Sequence, residues 1–369
     1  MKKMKIAFVG VGSISKIYLQ NLTEVYKEVE VIGVCDLIRE RAERAVAKFN
    51  IPKLYEDMYE LFADPEVDVV LNITRPDEHY EVTKAALLAG KHVFSEKPLA
   101  STLEKGRELV ELADRLGLYL CGAPDTFLGA AIQTARELIE EGKIGTLVGG
   151  CGHMKCRGHE SWHPDPEFYY KRGGGPLLDM GPYYVTAFIN LLGSVKRVTA
   201  MNRITYPERT ITSEEKYGQI ITVDVPTHVN ALMEFENGAV AHLLTTFDTY
   251  STDFRNRIEI YGSEGTMIVP DPNNFCDPVK ISRGGDREPE VYPVRYGYDF
   301  DARGLGLCDM CNAIRDGRPA RTDKQLPYHA LEVMMGLVRA SDEHRFIDIE
   351  SKFEKPAFMP KGLEDGILD

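Results

Sequence analysis

Two short segments carry residue types that suit dinucleotide chemistry. The first, Gly10–Ser15, follows an apolar run and precedes a stretch compatible with a helix. In that context a glycine turn presents backbone N–H groups and a helix N-terminus to a pyrophosphate. The second, Glu96-Lys97-Pro98, ends another apolar run, and ligands of an open α/β sheet bind beyond the carboxyl ends of its strands. Together they predict a dinucleotide enzyme with a lysine in its active site.

An acidic residue indicates which cofactor to expect. Asp36 ends the second predicted strand, where a carboxylate would bind both ribose hydroxyls and repel a 2′-phosphate. We therefore predict NAD, although Arg39 and Arg41 could swing towards a phosphate and leave NADP open. Ser15 stands where the motif usually has Gly or Ala, and we expect it to loosen the packing of helix on strand. The cofactor residues predicted here are Gly10, Gly12, Ser13, Ile14, Asp36 and Arg41.

A third segment, Thr74–His79, follows the central predicted strand at the same edge of the sheet. A turn there would lay Thr74 and Pro76 along the nicotinamide ribose. His79 starts the next helix, and two interpretations stay open for it: a cofactor contact or a solvated first-turn residue. Glu96 and Lys97 complete the predicted cofactor set.

The order of apolar runs predicts an α/β fold with two domains. Runs rich in Val and Ile alternate with helical stretches, as expected of parallel strands covered on both faces. We predict a Rossmann doubly wound parallel sheet in residues 1–123. Residues 124–369 then form a second α/β domain with a large open, mostly antiparallel sheet, because longer alternating strands and the Asn237-Gly238 hairpin turn follow. The polar, poorly periodic residues 207–226 predict an exposed loop.

Composition excludes several classes of protein. The formal net charge of −13 over 369 residues argues against nucleic acid as a partner, because a phosphate backbone requires a basic face. Neither a signal peptide nor a membrane span is evident, so we expect a cytoplasmic protein. Cys308 and Cys311 have zinc-ligand spacing, but they lie on one apolar helical stripe and predict core packing. We predict no metal site.

A second group of chemical residues follows the glycine run at residues 173–175. Asp179 and Tyr183 are four positions apart, so on one helix they would share a face and converge on a substrate hydroxyl. Oxidation of an alcohol needs a group that takes the hydroxyl proton. We predict Tyr183 as the proton relay, Lys97 as its electrostatic partner and Asp179 as the orienting group. A helix cap at Asp179 and an ordinary half-buried aromatic at Tyr183 are the structural alternatives.

The loop before the glycine run contains the one tryptophan of the chain. Aromatic and histidine side chains on a loop suit recognition of a polyol or sugar ring. We predict Trp162 and His163 as substrate contacts, together with Asp125, Lys97, Asp179 and Tyr183.

At these motifs the chain resembles the Gfo/Idh/MocA oxidoreductase family. The resemblance covers nearly the whole chain and is carried by four segments: Gly10–Gly12, Thr74–His79, Ala89–Ala100 and Gly173–Tyr183. It implies a Rossmann domain, a C-terminal domain with a large open sheet, NAD or NADP, and dimers or tetramers assembled through those sheets. The histidine that is common four residues after the aspartate is here Tyr183, which resembles the glucose–fructose oxidoreductase and dihydrodiol dehydrogenase branch. The arginine of a frequent Arg-Phe pair is here Thr126, so an anionic substrate is not implied.

These observations predict an NAD(P)-dependent oxidoreductase. Its substrate would be a secondary hydroxyl of a sugar, an inositol-like polyol or a cyclic diol, and its subunits would form a homodimer or homotetramer through the C-terminal sheet. Two alternatives remain: a glycosidase of the same fold that retains NAD, and a non-catalytic regulator that senses the dinucleotide. The joint presence of Lys97, Asp179 and Tyr183 argues against the regulator.

Overall fold

The computed structural model describes residues 3–250 and 256–368. They cluster into two compact units. The first unit contains the chain up to Gly129, Tyr296–Tyr328 and the residues from Pro356 on, and the second contains Ala130–Arg295 and His329–Lys355. This grouping differs from the two consecutive segments predicted from the sequence. The reason is that the helix Leu305–Asp316 packs against the sheet of the first unit.

The first unit is built on six parallel strands in the order β3-β2-β1-β4-β5-β6. The strands are β1 (Met4–Val9), β2 (Val29–Cys35), β3 (Lys53–Leu54), β4 (Val69–Asn72), β5 (His92–Ser95) and β6 (Leu120–Gly122). Five helices connect them: α1 (Ser15–Glu24), α2 (Arg39–Phe49), α3 (Met58–Ala63), α4 (His79–Leu88) and α5 (Leu103–Leu116). This strand order places the carboxyl ends of β1 and β4 side by side, at the point where the order of the sheet reverses. The predicted Rossmann sheet is thereby confirmed.

Local sequence signals account for the ends of these helices. The hydroxyl of Thr102 accepts a hydrogen bond from the backbone N–H of Lys105 and caps the start of α5. Gly117 then ends α5 in the left-handed conformation, with φ of 66°. The strands between the helices are buried, and Ile6, Ala7 and Phe8 are inaccessible to solvent. Their apolar runs therefore read as parallel strands covered on both faces.

The second unit is built on a nine-stranded, mostly antiparallel sheet in the order β16-β15-β14-β13-β7-β12-β11-β8-β17. Its strands are β7 (Leu147–Lys155), β8 (Val195–Arg203), β11 (His228–Phe235), β12 (Val240–Thr246), β13 (Arg257–Gly262), β14 (Gly265–Val269), β15 (Val279–Ser282), β16 (Glu290–Tyr292) and β17 (Ile347–Asp348). Its helices are α6 (Ala130–Glu140), α7 (Gly175–Asp179), α8 (Gly181–Leu192) and most of α10 (Gln325–Glu343), which precedes β17. The helix α9 (Leu305–Asp316) belongs to the first unit. The predicted large open sheet is confirmed.

One face of this sheet packs on helices. A Cβ atom at Gly152 would lie 3.0 Å from the rings of Tyr184 and Phe188 on α8, so glycine permits the close approach of this helix. In β11 the buried residues alternate with exposed or half-buried ones, as expected of an antiparallel strand with one covered face. The other face carries Leu232 and, on neighbouring strands, Met201 and Val240, all of them exposed.

The prediction of an exposed loop at residues 207–226 is only partly confirmed, because most of these residues are exposed but some form regular structure. The segment contains a two-stranded antiparallel sheet of β9 (Glu208–Thr210) and β10 (Ile220–Thr222). Arg209 is 5% exposed, and Ile211 is fully buried. Short strands with a charged core residue lack the apolar periodicity that identifies a strand from sequence. The buried charge of Arg209 is stabilised by carboxylates from elsewhere in the chain.

Among the helices of residues 3–250 and 256–368, none combines the length and the apolar composition needed to cross a bilayer. Across the same residues, His, Cys, Asp and Glu side chains nowhere gather in threes as metal ligands would. Cys308 and Cys311 are fully buried on α9, and burial raises the pKa of both thiols, as expected of core residues.

Candidate active site

The glycine turn after β1 has the geometry of a phosphate-binding turn. Gly10 has φ of +93°, and a Cβ atom there would lie 2.7 Å from the carbonyl oxygen of Ile73 on the neighbouring strand, so only glycine fits. A Cβ atom at Gly12 would meet no heavy atom of the described residues within 4 Å, because this position faces open space. Ser13 and Ile14 continue the exposed turn into α1. A pyrophosphate could therefore approach the backbone closely at this helix N-terminus.

Ser15, which was expected to loosen the packing of helix on strand, is itself bonded into the turn. Its side chain is 3% exposed, and its hydroxyl donates a hydrogen bond to the carbonyl oxygen of Gly12 at 2.6 Å. The serine thus fastens the turn to the first residue of α1. A small polar side chain replaces the tight packing that glycine or alanine would give.

Asp36 lies beside this turn at the end of β2. Its Oδ2 accepts a hydrogen bond from the backbone N–H of Val11 at 2.6 Å, and its Oδ1 accepts one from the N–H of Ile38 at 2.7 Å. Arg39 forms ion pairs with Glu43 and Glu56 at 3.0 and 2.5 Å, so two carboxylates already neutralise its charge. Arg41 is exposed. These residues fit NAD better than NADP, and binding of the ribose by Asp36 stays a prediction.

His79 serves neither of the two roles considered for it. The imidazole is 1% exposed, with Nδ1 2.8 Å from the carbonyl oxygen of Pro98 and Nε2 3.1 Å from that of Thr74. Burial lowers the pKa of the imidazole. His79 therefore ties the turn after β4, which contains the half-buried Pro76, to the segment after β5. The predicted cofactor contact is corrected to a structural role, because the ring is enclosed.

Glu96 supports Lys97. The Glu96 side chain is 6% exposed and accepts hydrogen bonds from the hydroxyl of Tyr18 at 2.7 Å and from the backbone N–H of Lys97 at 2.9 Å. Burial raises the pKa of Tyr18 well above its usual value, so the phenol remains a donor. Lys97 itself is half-buried within an otherwise buried segment. The prediction that Glu96 binds the dinucleotide is corrected. Its hydrogen bonds indicate that it fixes the backbone of Lys97 instead.

Asp125 is a structural carboxylate, contrary to the predicted substrate contact. It is 1% exposed, and its Oδ2 accepts hydrogen bonds from the N–H groups of Gly304 and Gly306 at 2.9 and 3.0 Å. Burial raises the pKa of Asp125 to about 6. Asp125 thus anchors the start of α9, and no part of its carboxylate is presented to solvent.

The glycine run of the second unit packs against the chain itself. A Cβ atom at Gly174 would lie 2.4 Å from the carbonyl oxygen of Phe168 and 2.7 Å from that of Tyr169, and Gly175 has φ of +78°. The run therefore packs closely against the turn Glu167–Tyr170. This contact fixes the start of α7, which ends at Asp179.

Asp179 and Tyr183 do not share one continuous helix. Asp179 is the last residue of α7, Tyr183 is the third residue of α8, and Met180 lies between the two helices. Pro182 has no backbone N–H, which accounts for the break. Met180 is the N-cap residue of α8 and makes no side-chain capping bond, so the cap alternative for Asp179 is not supported. Tyr183 is 6% exposed.

A histidine that sequence reasoning missed lies beside Asp179. Nε2 of His159 is 3.6 Å from Oδ2 of Asp179, and both side chains are largely buried. His159 comes from the same loop as Trp162 and His163, with which it forms an aromatic group. The members of this aromatic group are His159, Trp162, His163, Phe168, Tyr169 and Phe247. No sequence spacing relates His159 to Asp179, so only the folded chain reveals the pair.

The two predicted substrate residues of the loop differ in accessibility. Trp162 is 61% exposed, whereas His163 is 9% exposed and its Nδ1 accepts a hydrogen bond from the N–H of Asp165 at 3.0 Å. Burial lowers the pKa of His163. The loop is held by Glu160, which pairs with Arg209 at 2.6 Å. Trp162 is therefore exposed enough to contact a substrate. The buried ring of His163 packs against the indole, with ring centroids 5.4 Å apart.

Comparison with known proteins identifies the family. A family model described as an oxidoreductase family with an NAD-binding Rossmann fold matches residues 4–122. A second model, the GFO/IDH/MocA C-terminal domain, matches residues 132–268. The chain belongs to the Gfo/Idh/MocA oxidoreductase family. Membership confirms the predicted family, the enzyme class of NAD-dependent oxidoreductase and the NAD-binding domain.

Individual relatives extend along most of the chain. Trans-1,2-dihydrobenzene-1,2-diol dehydrogenase of Mus musculus is 30% identical over 290 residues, which are 78% of this chain and 80% of the relative. Myo-inositol 2-dehydrogenase of Thermotoga maritima is 26% identical over 353 residues, 94% and 99% of the two chains. A levoglucosan dehydrogenase solved with NADH and L-sorbose superposes with a TM-score of 0.80 at 20% identity and covers 95% of this chain and all of its own. That structure shows that the fold is shared.

Proposed function

We propose that this member of the Gfo/Idh/MocA family is an NAD-dependent dehydrogenase of a secondary hydroxyl on a sugar, an inositol-like polyol or a cyclic diol. One observation carries the proposal: the glycine turn is open at Gly12 and is flanked by the carboxylate of Asp36. NAD, when bound, supplies the acceptor for a hydride. Gly10, Gly12 and the backbone of residues 13–14 would hold its pyrophosphate, and Asp36 its adenosine ribose.

The remaining predicted cofactor contacts follow from the turn after β4. Thr74 is positioned by Asn72, whose Oδ1 accepts hydrogen bonds from the N–H and the hydroxyl of Thr74 at 3.2 and 2.7 Å. Thr74 and Pro76 would line the nicotinamide ribose. His79 and Glu96 are buried and would not contact the cofactor themselves. Each would instead hold in place a segment that contacts it.

The catalytic roles are assigned to three side chains. Lys97 supplies a positive charge that stabilises the oxyanion developing on the substrate. Tyr183 accepts the hydroxyl proton, and Asp179 orients the substrate hydroxyl. The meeting of Lys97 with Asp179 and Tyr183 at one substrate stays a prediction.

The names of the relatives support the substrate class. They include a dihydrodiol dehydrogenase, an inositol dehydrogenase and a levoglucosan dehydrogenase solved with L-sorbose. These names describe rings or chains that carry neighbouring hydroxyl groups. The exposed indole of Trp162 provides a flat apolar surface on which the C–H face of such a ring could stack.

A substrate panel tests the proposal. Purified protein is mixed with NAD or NADP and with inositols, aldoses, anhydrosugars and cyclic diols, and absorbance of the reduced nicotinamide is followed. We expect reduction of NAD with at least one cyclic polyol. Release of sugar from glycosides without net reduction would instead indicate the NAD-retaining glycosidase. Tight dinucleotide binding without turnover of any compound would indicate the regulator.

We further propose that the exposed face of the nine-stranded sheet joins subunits into a dimer or tetramer. Met201, Leu232 and Val240 are exposed on adjacent strands of this face, with Met201 83% exposed. Exposed apolar side chains gathered on one surface are typical of an interface. Light scattering coupled to gel filtration should give a multiple of 41.5 kDa, and Leu232→Glu should shift it towards the single-chain mass. A monomeric wild-type protein would contradict this assignment.

A further inference from the structure

The imidazole of His159 is enclosed but unsatisfied. Within the part of the chain that the structure describes, neither its Nδ1 nor its Nε2 has a hydrogen-bond partner, although both atoms are buried. Ring contacts hold the imidazole in place: its centroid is 4.0 Å from that of Tyr169, 4.6 Å from Phe247 and 5.3 Å from Trp162. Buried polar atoms normally have partners, so an unpaired pair of ring nitrogens calls for an explanation, and a catalytic role is one.

The carboxylate of Asp179 lies close to one of these nitrogens. Oδ2 of Asp179 is 3.6 Å from Nε2 of His159, slightly beyond hydrogen-bond distance. Hydrogen bonds within active sites are often long before substrate binds and shorten when it does. A small rotation of either side chain would bring these two atoms into a hydrogen bond.

We propose that His159 is a positioning residue for Asp179. Its Nε2–H donates to Oδ2 of the carboxylate and so fixes the direction in which Asp179 faces the substrate hydroxyl. The inference rests on the proposed function, because it assigns Asp179 to a dehydrogenase site. Asp179 is the last residue of a five-residue helix, and His159 approaches it from a different element. That element, the loop that carries Trp162, supports Asp179.

The support also links the substrate loop to the catalytic carboxylate. Trp162 packs edge-on against His159 with a centroid distance of 5.3 Å and an interplanar angle of 88°. A substrate ring stacked on Trp162 would contact the same loop that orients Asp179. Recognition of the ring and orientation of the carboxylate are thus carried by neighbouring residues of one loop.

Two substitutions at His159 separate its hydrogen bond from its packing. His159→Phe keeps an aromatic ring among Tyr169, Phe247 and Trp162 but removes the donor. His159→Gln keeps an N–H donor at nearly the position of Nε2. On the best substrate of the panel, we expect His159→Phe to lower kcat by about 10- to 100-fold, the scale of a lost bond to a charged group. We expect His159→Gln to stay within about threefold of the wild type.

Three further readouts complete the experiment. The KM for NAD should change less than twofold in both variants, and His344→Gln, at an exposed histidine just after α10, should match the wild type. A wild-type kcat in His159→Phe would overturn the proposal, as would an equal loss of kcat in both variants.

If the wild type oxidises nothing on the panel, the proposed function fails. Crystal structures of the variants then test the pairing of His159 with Asp179 on their own. The Asp179 carboxylate should reorient in His159→Phe but not in His159→Gln, and an unchanged carboxylate in both would overturn the pairing.

Discussion

The carboxylate of Asp36 accepts a hydrogen bond from the backbone N–H of Val11 at 2.6 Å. This bond joins the end of β2 to the glycine turn after β1. One side chain therefore shapes the turn expected to receive the pyrophosphate and presents the group expected to bind the ribose. Dinucleotide affinity and the conformation of the turn should respond together to changes at residue 36.

Asp36→Ala should weaken NAD binding by about 10-fold or more, since bonds to a charged acceptor contribute about 1.5–3 kcal/mol. NADP should be weakened less, because the carboxylate that repels a 2′-phosphate is also removed. Fluorescence titration of both dinucleotides measures the two changes, with Asp36→Asn as the control that retains an acceptor. Equal weakening of both dinucleotides would remove the ribose assignment.

Gly12→Ala and Gly10→Ala form a matched pair. A Cβ atom at Gly12 meets open space among the described residues, so the variant should melt at the wild-type temperature but lose most of its NAD affinity. A Cβ atom at Gly10 would lie 2.7 Å from the Ile73 carbonyl at φ of +93°, so that variant should be destabilised by about 1–3 kcal/mol. Calorimetry and NAD titration check both. Normal NAD binding by Gly12→Ala would place the pyrophosphate elsewhere.

Lys97→Ala should abolish turnover and leave NAD affinity within a few-fold. The lysine is half-buried on a segment fixed by Glu96, and its charge is assigned to the substrate oxyanion rather than to the dinucleotide. Steady-state kinetics and NAD titration on the same preparation separate the two effects. A large loss of NAD affinity would move Lys97 into the cofactor site.

Tyr183→Phe should lower kcat several hundredfold, on the scale of about 10²–10⁴ for general acid–base groups. The adjacent Tyr184→Phe is its control. Tyr184 is fully buried, and its hydroxyl lies within hydrogen-bond distance of two acceptors, the carbonyl of His153 and Asp271. Loss of this hydroxyl should cost about 1 kcal/mol of stability and should change kcat little. Turnover near the wild-type value in Tyr183→Phe would make Tyr183 structural.

His329 should make the free energy of unfolding depend on pH. Its Nε2 accepts a hydrogen bond from the N–H of Val195 at 3.0 Å, and burial lowers the pKa of the imidazole to about 4. Because this pKa lies below that of the unfolded chain, the stabilisation is complete above about pH 6.5 and is lost as pH falls towards 4. Over that interval the wild type should lose roughly 3 kcal/mol through this group.

Denaturant unfolding at pH 4–7 measures that loss. His329→Gln should be less stable than the wild type at pH 7 but should show a smaller decline on acidification. The exposed His344→Gln should keep the wild-type slope. Parallel slopes for the wild type and His329→Gln would contradict the assignment.

The sequence predicted most elements well, because apolar periodicity is a local property. The strand predicted to end near Asp36 is β2, and the predicted Asn237-Gly238 turn joins the antiparallel strands β11 and β12. The helical register from Asp179 to Tyr183 was wrong, because Pro182 interrupts the backbone hydrogen bonds between α7 and α8. A four-residue spacing alone does not reveal that break.

The roles of polar residues were harder to predict, because they depend on partners distant in sequence. Asp125 is bound by Gly304 and Gly306, and His79 by Pro98 and Thr74. Each was assigned to a ligand from its place after a strand or at a helix start. Burial by the folded chain, which the sequence does not show, converts both into structural groups.

The return of the chain to the first unit has a consequence for its biosynthesis. The N–H of Lys27 donates to the carbonyl of Gly366, the hydroxyl of Tyr298 donates to the carbonyl of Ile367, and Leu368 is fully buried. A nascent polypeptide emerging from the ribosome can therefore assemble its early parallel strands but cannot complete that core until the last of these residues has been translated. The nine-stranded sheet, encoded in between, has the opportunity to form first.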